Sequence, residues 1–208
     1  MIRIALIGDI GSGKTHVSRK FNYPVFNADN EVSKLYNKSR KCYNKFKKNF
    51  PKYITKFPIE KKAEIFLKFA NLIEDNTNDI IEICAKESGK SIKNSIAEIR
   101  EAIDFCRYYS KEALNLFQTQ TLKGPTGELN QYRMVGKGLS FVVSPWNFPV
   151  AIFIGQTVAA LITGNVVITK PAEQSSFAAY YIIKLLLKAG LPSNAIALLL
   201  GDGASIGK

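Results

Sequence analysis

The sequence predicts an α/β protein in two unequal parts: a strand, phosphate loop and helix over residues 1–57, then helices and a partial parallel sheet over residues 58–208. Three observations carry this. An apolar run, Ile2 to Ile7, leads into Gly8-Asp9-Ile10-Gly11-Ser12-Gly13-Lys14-Thr15, which satisfies every fixed position of G-x-x-x-x-G-K-S/T ahead of a helical pattern. From Leu139 onward, short apolar strands alternate with segments of helical period. The charge also changes along the chain: residues 1–62 carry 15 Lys and Arg against 4 Asp and Glu, whereas residues 63–208 carry 14 against 13, so nearly all of the net +12 lies in the first part.

The residue types of the loop follow from phosphate chemistry. Gly8, Gly11 and Gly13 let the backbone bend with its N–H groups, that of Ser12 among them, turned toward phosphate oxygens at the start of the next helix. Lys14 reaches the β and γ phosphates, and the Thr15 hydroxyl suits Mg²⁺, a hard cation that prefers oxygen. ATP with Mg²⁺ is the expected ligand. The plainer alternative is a glycine-rich strand-to-helix turn with an incidental lysine.

Beyond the loop, Lys38, Arg40, Lys41, Lys45, Lys47, Lys48 and Lys52 alternate with Tyr36, Tyr43, Phe46, Phe50 and Tyr53. Such interleaving can bind nucleic acid, but it also describes an amphipathic helix with a solvated lysine face, and the second reading is preferred. An apolar fraction of 46% is enough for a buried core. No apolar stretch is long enough to span a bilayer, and the N-terminus reads as a strand, so no membrane partner and a cytoplasmic location are expected. Cys42, Cys84 and Cys106 have neither metal-ligand spacing nor a disulfide framework, and His16 alone cannot build a metal site.

Met1 to about Phe57 resembles the opening of dephospho-coenzyme A kinase, through Ile4 to Thr15 and the second-strand run Tyr23-Pro24-Val25-Phe26-Asn27-Ala28-Asp29. The resemblance implies Asp29 as the base or substrate-positioning carboxylate, Lys14 as phosphate clamp and Thr15 as Mg²⁺ ligand, in a transfer governed by positioning and electrostatics. Asn27 departs from the acidic residue usual there, and no counterpart of that family's later strands and lid arginines comes after Phe57.

Residues 58–119 read as helical. Ile65, Phe66, Phe69, Leu72, Ile73, Ile80, Ile81 and Cys84 recur on one face. After the break at Glu87-Ser88-Gly89-Lys90, Ile96, Ile99, Ile103, Cys106, Ala113 and Phe117 form a second series. Gly124 to Gly138 links, with strand character near Tyr132 to Val135. Then come a strand at Leu139–Val143, a helix at Val150–Ile162, a strand at Val166–Thr169, a helix at Ser175–Ala189 and a strand at Ala195–Leu200. Apolar strands with crossover helices make residues 139–208 a Rossmann-like βαβαβ half.

Three ordered motifs end these strands: Ser144-Pro145-Trp146-Asn147-Phe148-Pro149; Gly164-Asn165 leading to Lys170-Pro171-Ala172-Glu173-Gln174; and Gly201 to Gly207. Together they resemble the NAD-binding domain of the aldehyde dehydrogenase superfamily over residues 58–208. Glu98 to Tyr109 and Phe148 to Gln156 resemble in particular the glutamate-semialdehyde (pyrroline-5-carboxylate) dehydrogenase module of proline-utilisation proteins. The resemblance implies oxidation of L-glutamate γ-semialdehyde to glutamate with NAD⁺, the aldehyde and the nucleotide being the partners. Asn147 would donate to the oxyanion formed when a thiol attacks the aldehyde, a contact worth ~3 kcal/mol in a transition state. Lys170 and Glu173 would bond the adenosine ribose hydroxyls, Ser144 and Trp146 would border the cofactor, and Gly203 and Gly207 would permit its close approach. Trp146 reads equally as a core aromatic, and Glu173 as a favourable charge at the next helix N-terminus.

The same chemistry needs a cysteine nucleophile and a glutamate that activates water. Both are expected beyond Lys208, because Cys42 lies in the kinase-like part and Cys84 and Cys106 fall on helix faces without a nucleophile motif. The 208-residue chain is therefore expected to be inactive alone and to self-associate through uncovered faces of its half-sheet. Three readings remain: a dehydrogenase-derived fragment joined to a kinase opening, which is preferred; a working kinase with a replaced later region; and a noncatalytic nucleotide-binding or interaction module using the basic face.

Overall fold

The computed structural model describes residues 57–201 together with Lys48 and Tyr53. The loop Gly8–Thr15, and His16, Asp29, Cys42, Gly203 and Gly207, lie outside the described residues. The helical region forms α1 (Ile59–Asp75), α2 (Thr77–Ser88) and α3 (Ile92–Leu116). The apolar series from Ile65 to Cys84 is thus broken into two helices at Asn76. There the Asn76 side chain donates to the Leu72 carbonyl at 2.7 Å and the Thr77 hydroxyl to that of Glu74 at 2.8 Å, short polar side chains competing with the backbone for helical acceptors. Helix α2 ends on Gly89, whose φ of 65° is a left-handed cap open to glycine at little cost, and this turn delivers Lys90 toward the sheet. Ser91 then caps α3 by accepting the Asn94 N–H. Ile96, placed on the packing face by its spacing, is 41% exposed.

Strand β1 (Gln120–Leu122) pairs antiparallel with β2 (Asn130–Tyr132), from Gln120 opposite Tyr132 to Leu122 opposite Asn130. The strand expected near Tyr132–Val135 therefore lies earlier, because upstream of Gln120 the chain turns back into α3 and offers nothing to pair with residues past Tyr132. The parallel sheet runs β3 (Leu139–Val143), β4 (Val166–Lys170), β5 (Ile196–Leu198), in that order. Its crossovers are α4 (Ala151–Ile162) and α5 (Ser176–Ala189), the latter preceded by a 3₁₀ turn at Glu173–Ser175. The βαβαβ order agrees with the sequence expectation, with shifts of one or two residues at element ends.

The core lies between the sheet and the outer helices. Helix α4 contacts β3 and β4 on one side and α1 and α3 on the other, so it is apolar nearly all round: Phe153, Ile154, Val158, Leu161 and Ile162 are buried. Helix α1 packs against both α3 and α5 through Phe66, Phe69 and Ile73. Tyr53 joins the same core. Its hydroxyl donates to the Leu161 carbonyl at 3.1 Å, and the Lys62 ammonium sits 5.1 Å from its ring centroid. Burial lowers the Lys62 pKa and raises that of the Tyr53 phenol. Tyr53 buried and Lys48 exposed fit the amphipathic reading of the basic stretch. Among the described residues no helix is long and apolar enough to cross a membrane.

Phe66→Ala, at a fully buried position, should lower unfolding free energy by about 3–5 kcal/mol, whereas Leu67→Ala at the exposed neighbour should change it by under about 0.5 kcal/mol; urea denaturation of both variants checks the contrast.

Cys84 and Cys106 lie in this core as free thiols. Burial is the main cause that pushes Cys84 up to about 11 and Cys106 to about 12 from an ordinary 9.0. Stability from keeping these thiols neutral is fully present below 9.0 and is lost as pH rises through about 11 and then about 12. With a thiol-specific disulfide reagent at pH 8, neither should label until denaturant unfolds the chain, as read by peptide mass spectrometry. Rapid native labelling of either would contradict this placement.

Candidate active site

The carboxyl ends of β3 and β4 stand side by side, with Val143 opposite Lys170. The ladder continues one step into the loops: the Ser144 N–H donates to the Lys170 carbonyl at 3.2 Å, and the Ala172 N–H to the Ser144 carbonyl at 3.0 Å. This anchors the start of the loop that carries Trp146 and Asn147. Ser144 is 3% exposed, and its buried hydroxyl has no hydrogen-bond partner among the described residues. Farther down the strands, Asn165 ties β4 to β3 by accepting the Gly138 N–H at 2.9 Å while donating to the Ala160 carbonyl at 3.0 Å.

Trp146 is 55% exposed, which overturns its reading as a core aromatic: the loop leaves the sheet edge, and no layer of described residues covers the indole. Asn147 is exposed beside it. The two line an open cleft of about 620 Å³ with Lys90, Asn94, Glu101 and Phe148. Lys170 is half-buried, its ammonium donating to the Pro171 carbonyl at 3.0 Å, and Glu173 is exposed in the 3₁₀ turn before α5. The structure therefore brings Ser144, Trp146, Asn147, Lys170 and Glu173 to one end of the sheet.

Three residues without a role in the sequence reading organise this end. The Lys90 ammonium donates to the Asn147 carbonyl at 2.7 Å, lies 4.4 Å from the Phe148 ring centroid and forms an ion pair with Glu98. The other Glu98 oxygen accepts the N–H groups of Val150 and Ala151 at 2.7 and 3.0 Å, capping α4 from α3. Glu87, in the last turn of α2, likewise accepts the N–H groups of Phe177 and Ala178 at 2.6 and 2.8 Å and caps α5. Val150 and Ser175, the residues at the two N-caps, provide no side-chain cap of their own. A charged residue on the inward face of an amphipathic helix, Glu98 between Ser95 and Ala102, was the readable signal for the first of these.

The two caps bear on cofactor chemistry. A helix N-terminus ordinarily attracts phosphate because its N–H groups are unpaired and the dipole is positive there. At α4 and α5 those N–H groups already hold carboxylates. At the strand ends stand the Lys170 ammonium, a donor, and the Glu173 carboxylate, an acceptor, each able to bond a hydroxyl.

Residues 32–208 match the aldehyde dehydrogenase family. Over 148 residues the chain is 38% identical to 1-pyrroline-5-carboxylate dehydrogenase of Anoxybacillus flavithermus, an alignment covering 71% of this chain and 29% of that protein. Over 150 residues it is 41% identical to bifunctional protein PutA of Salmonella typhimurium, covering 72% of this chain and 10% of that one. The crystal structure of a proline utilization A variant from Bradyrhizobium japonicum superposes with a TM-score of 0.77 at 36% identity, over 86% of this chain and 19% of that one. The chain spans under a third of the length of these curated relatives. With a match that covers most of its residues, and with strand ends arranged as above, the chain belongs to the aldehyde dehydrogenase family.

Proposed function

We propose that this chain contributes the oxyanion donor and the adenosine-side contacts of an NAD-dependent dehydrogenase that converts L-glutamate γ-semialdehyde to glutamate in proline catabolism, a cytoplasmic enzyme. The observation that carries the reading is Asn147 on a clamped loop beside an open cleft, at the carboxyl end of a parallel sheet. Its carboxamide would donate to the oxygen that becomes negative when the aldehyde is attacked. Lys170 and Glu173 would hold the ribose hydroxyls, with Ser144 and Trp146 at the border of the cofactor. Gly203 and Gly207 would permit close approach of the cofactor near its adenine. Bound NAD⁺ supplies the hydride acceptor. Cys84 and Cys106, buried and protonated, do not supply the nucleophile.

Two measurements test this. Lys170→Ala should weaken NAD⁺ binding by about tenfold or more in equilibrium dialysis, the loss expected for a charge-assisted hydrogen bond. Binding that is unchanged in both Lys170→Ala and Glu173→Ala would remove the cofactor assignment. The 208-residue chain given NAD⁺ and glutamate semialdehyde should form no NADH above background. Sustained NADH formation abolished by Asn147→Ala would mean that a thiol has been recruited from elsewhere in the chain.

A second reading concerns residues 1–57 and rests on the complete motif from Gly8 to Thr15. We infer a phosphate site for ATP with Mg²⁺, derived from the opening of a dephospho-coenzyme A kinase, and move the join to the dehydrogenase part, expected near residue 58, to a point before Tyr53. Burial of Tyr53 in the dehydrogenase core and a family match that begins at residue 32 support that placement. Calorimetry should show weak Mg-ATP binding that is lost in Lys14→Ala, with no phosphorylation of dephospho-coenzyme A. A phosphorylated product that disappears in Lys14→Ala would make this part a working kinase.

A further inference from the structure

The loop from Ser144 to Ala151 has few means of holding its own shape. Pro145 and Pro149 have no backbone N–H, and Trp146, Asn147 and Phe148 are exposed. One end is fixed by the Ser144 exchange with Lys170 and Ala172, the other by the Val150 and Ala151 N–H groups on Glu98. Between those ends, the loop's middle is held by the Lys90 ammonium on the Asn147 carbonyl, reinforced by its position over the Phe148 ring. Lys90 is itself preset: its side chain is 12% exposed, that of its ion-pair partner Glu98 is 1% exposed, and Gly89 fixes the turn from which it reaches.

We propose that Lys90 and Glu98 are positioning residues, a clamp from the helical layer that sets where the Asn147 carboxamide sits. The inference rests on the reading of Asn147 as oxyanion donor. One carboxylate holds both the start of α4 and the ammonium that holds the loop preceding it, so the backbone on either side of Asn147 is referred to a single buried group on α3. A donor aimed at a developing oxyanion has to be held to within about half an ångström, and exposed loops are not that precise unless something rigid restrains them.

The only tryptophan of the chain, Trp146, adjoins Asn147 and reports on the loop without turnover. In Lys90→Met the acrylamide quenching constant of Trp146 should rise about twofold and its anisotropy decay should gain a nanosecond component, the timescale of a released loop, with far-UV circular dichroism unchanged. Lys90→Arg, which keeps a donor and a positive charge, should restore parent values. Because Lys90→Met leaves the Glu98 charge unpaired and can unfold the chain on that account, Lys90→Met/Glu98→Gln is measured beside it and should show the same loosening in a folded protein. Parent-like quenching and anisotropy in a folded Lys90→Met or in the double variant would overturn the proposal. So would global melting of both, which would assign the pair to bulk stability. Neither NAD⁺ nor aldehyde enters this measurement, so failure of the clamp leaves the dehydrogenase reading standing, and loss of the NAD⁺ assignment leaves the clamp standing.

Discussion

The Glu98 carboxylate is the interaction on which the rest of the site depends. Taking a carboxylate out of water costs several kcal/mol, and Glu98 is 2% exposed. The cost is offset because its oxygens meet an ammonium and two N–H groups at the positive end of α4. Removing the ammonium alone would leave a buried charge short of a partner, at about 3–5 kcal/mol. The pair therefore makes the outer helices and the sheet one mechanical unit. A three-stranded half-sheet would otherwise present its loops on weakly restrained ends. Here the loop after β3 is referred to α3 and α2 as well as to β4.

Glu87 repeats the device at α5, so both crossover helices start from a carboxylate of the outer layer. In a doubly wound sheet the pyrophosphate commonly takes the open N-terminus of the first crossover helix. Both crossover N-termini described here are satisfied from within the chain by carboxylates of α2 and α3. An anion brought to either would meet a negative charge rather than free N–H groups. The helices thus gain rigid starts. Tyr181 strengthens the same joint between α5 and the outer layer. Its hydroxyl donates to Asp79 at 2.8 Å, and its pKa is pushed up to about 12 by burial first and by that carboxylate second.

Features that depend on local pattern were legible in the sequence. Leu139–Val143 and Val166–Lys170 stand out because strands buried by crossover helices are continuous apolar runs, and the residues at their ends come directly after. The break at Asn76 was hidden because the apolar spacing runs through it, and a helix boundary made by side-chain competition leaves periodicity intact. The β1–β2 pairing was displaced because a short exposed hairpin carries no buried alternation to mark its register. Lys90, Glu87 and Glu98 were visible as residues but not as a network. Their partners are backbone N–H and C=O groups 52 to 91 positions away, and no local pattern encodes those. The indole of Trp146 was read with equal weight as core, since composition does not tell which side of a strand-end loop is covered.

The same network bears on why Cys84 is not a nucleophile. A thiol becomes reactive where positive charge or open N–H groups lower its pKa. Cys84 lies on α2 with Glu87 and close in sequence to Lys90, and after burial the Glu98 charge raises its pKa further, Lys90 lowers it, and Glu87 raises it again. The helix N-termini able to stabilise a thiolate are held by the two carboxylates. Burial first, and the negative charge of Glu98 and Glu87 second, thus keep this sulfur protonated. An oxyanion and a thiolate both gain from N–H donors and positive potential; Asn147 differs from Cys84 in standing exposed on a clamped loop, whereas the sulfur is buried. Burial thus sets both described thiols, Cys84 and Cys106, apart from the exposed loop that carries Asn147.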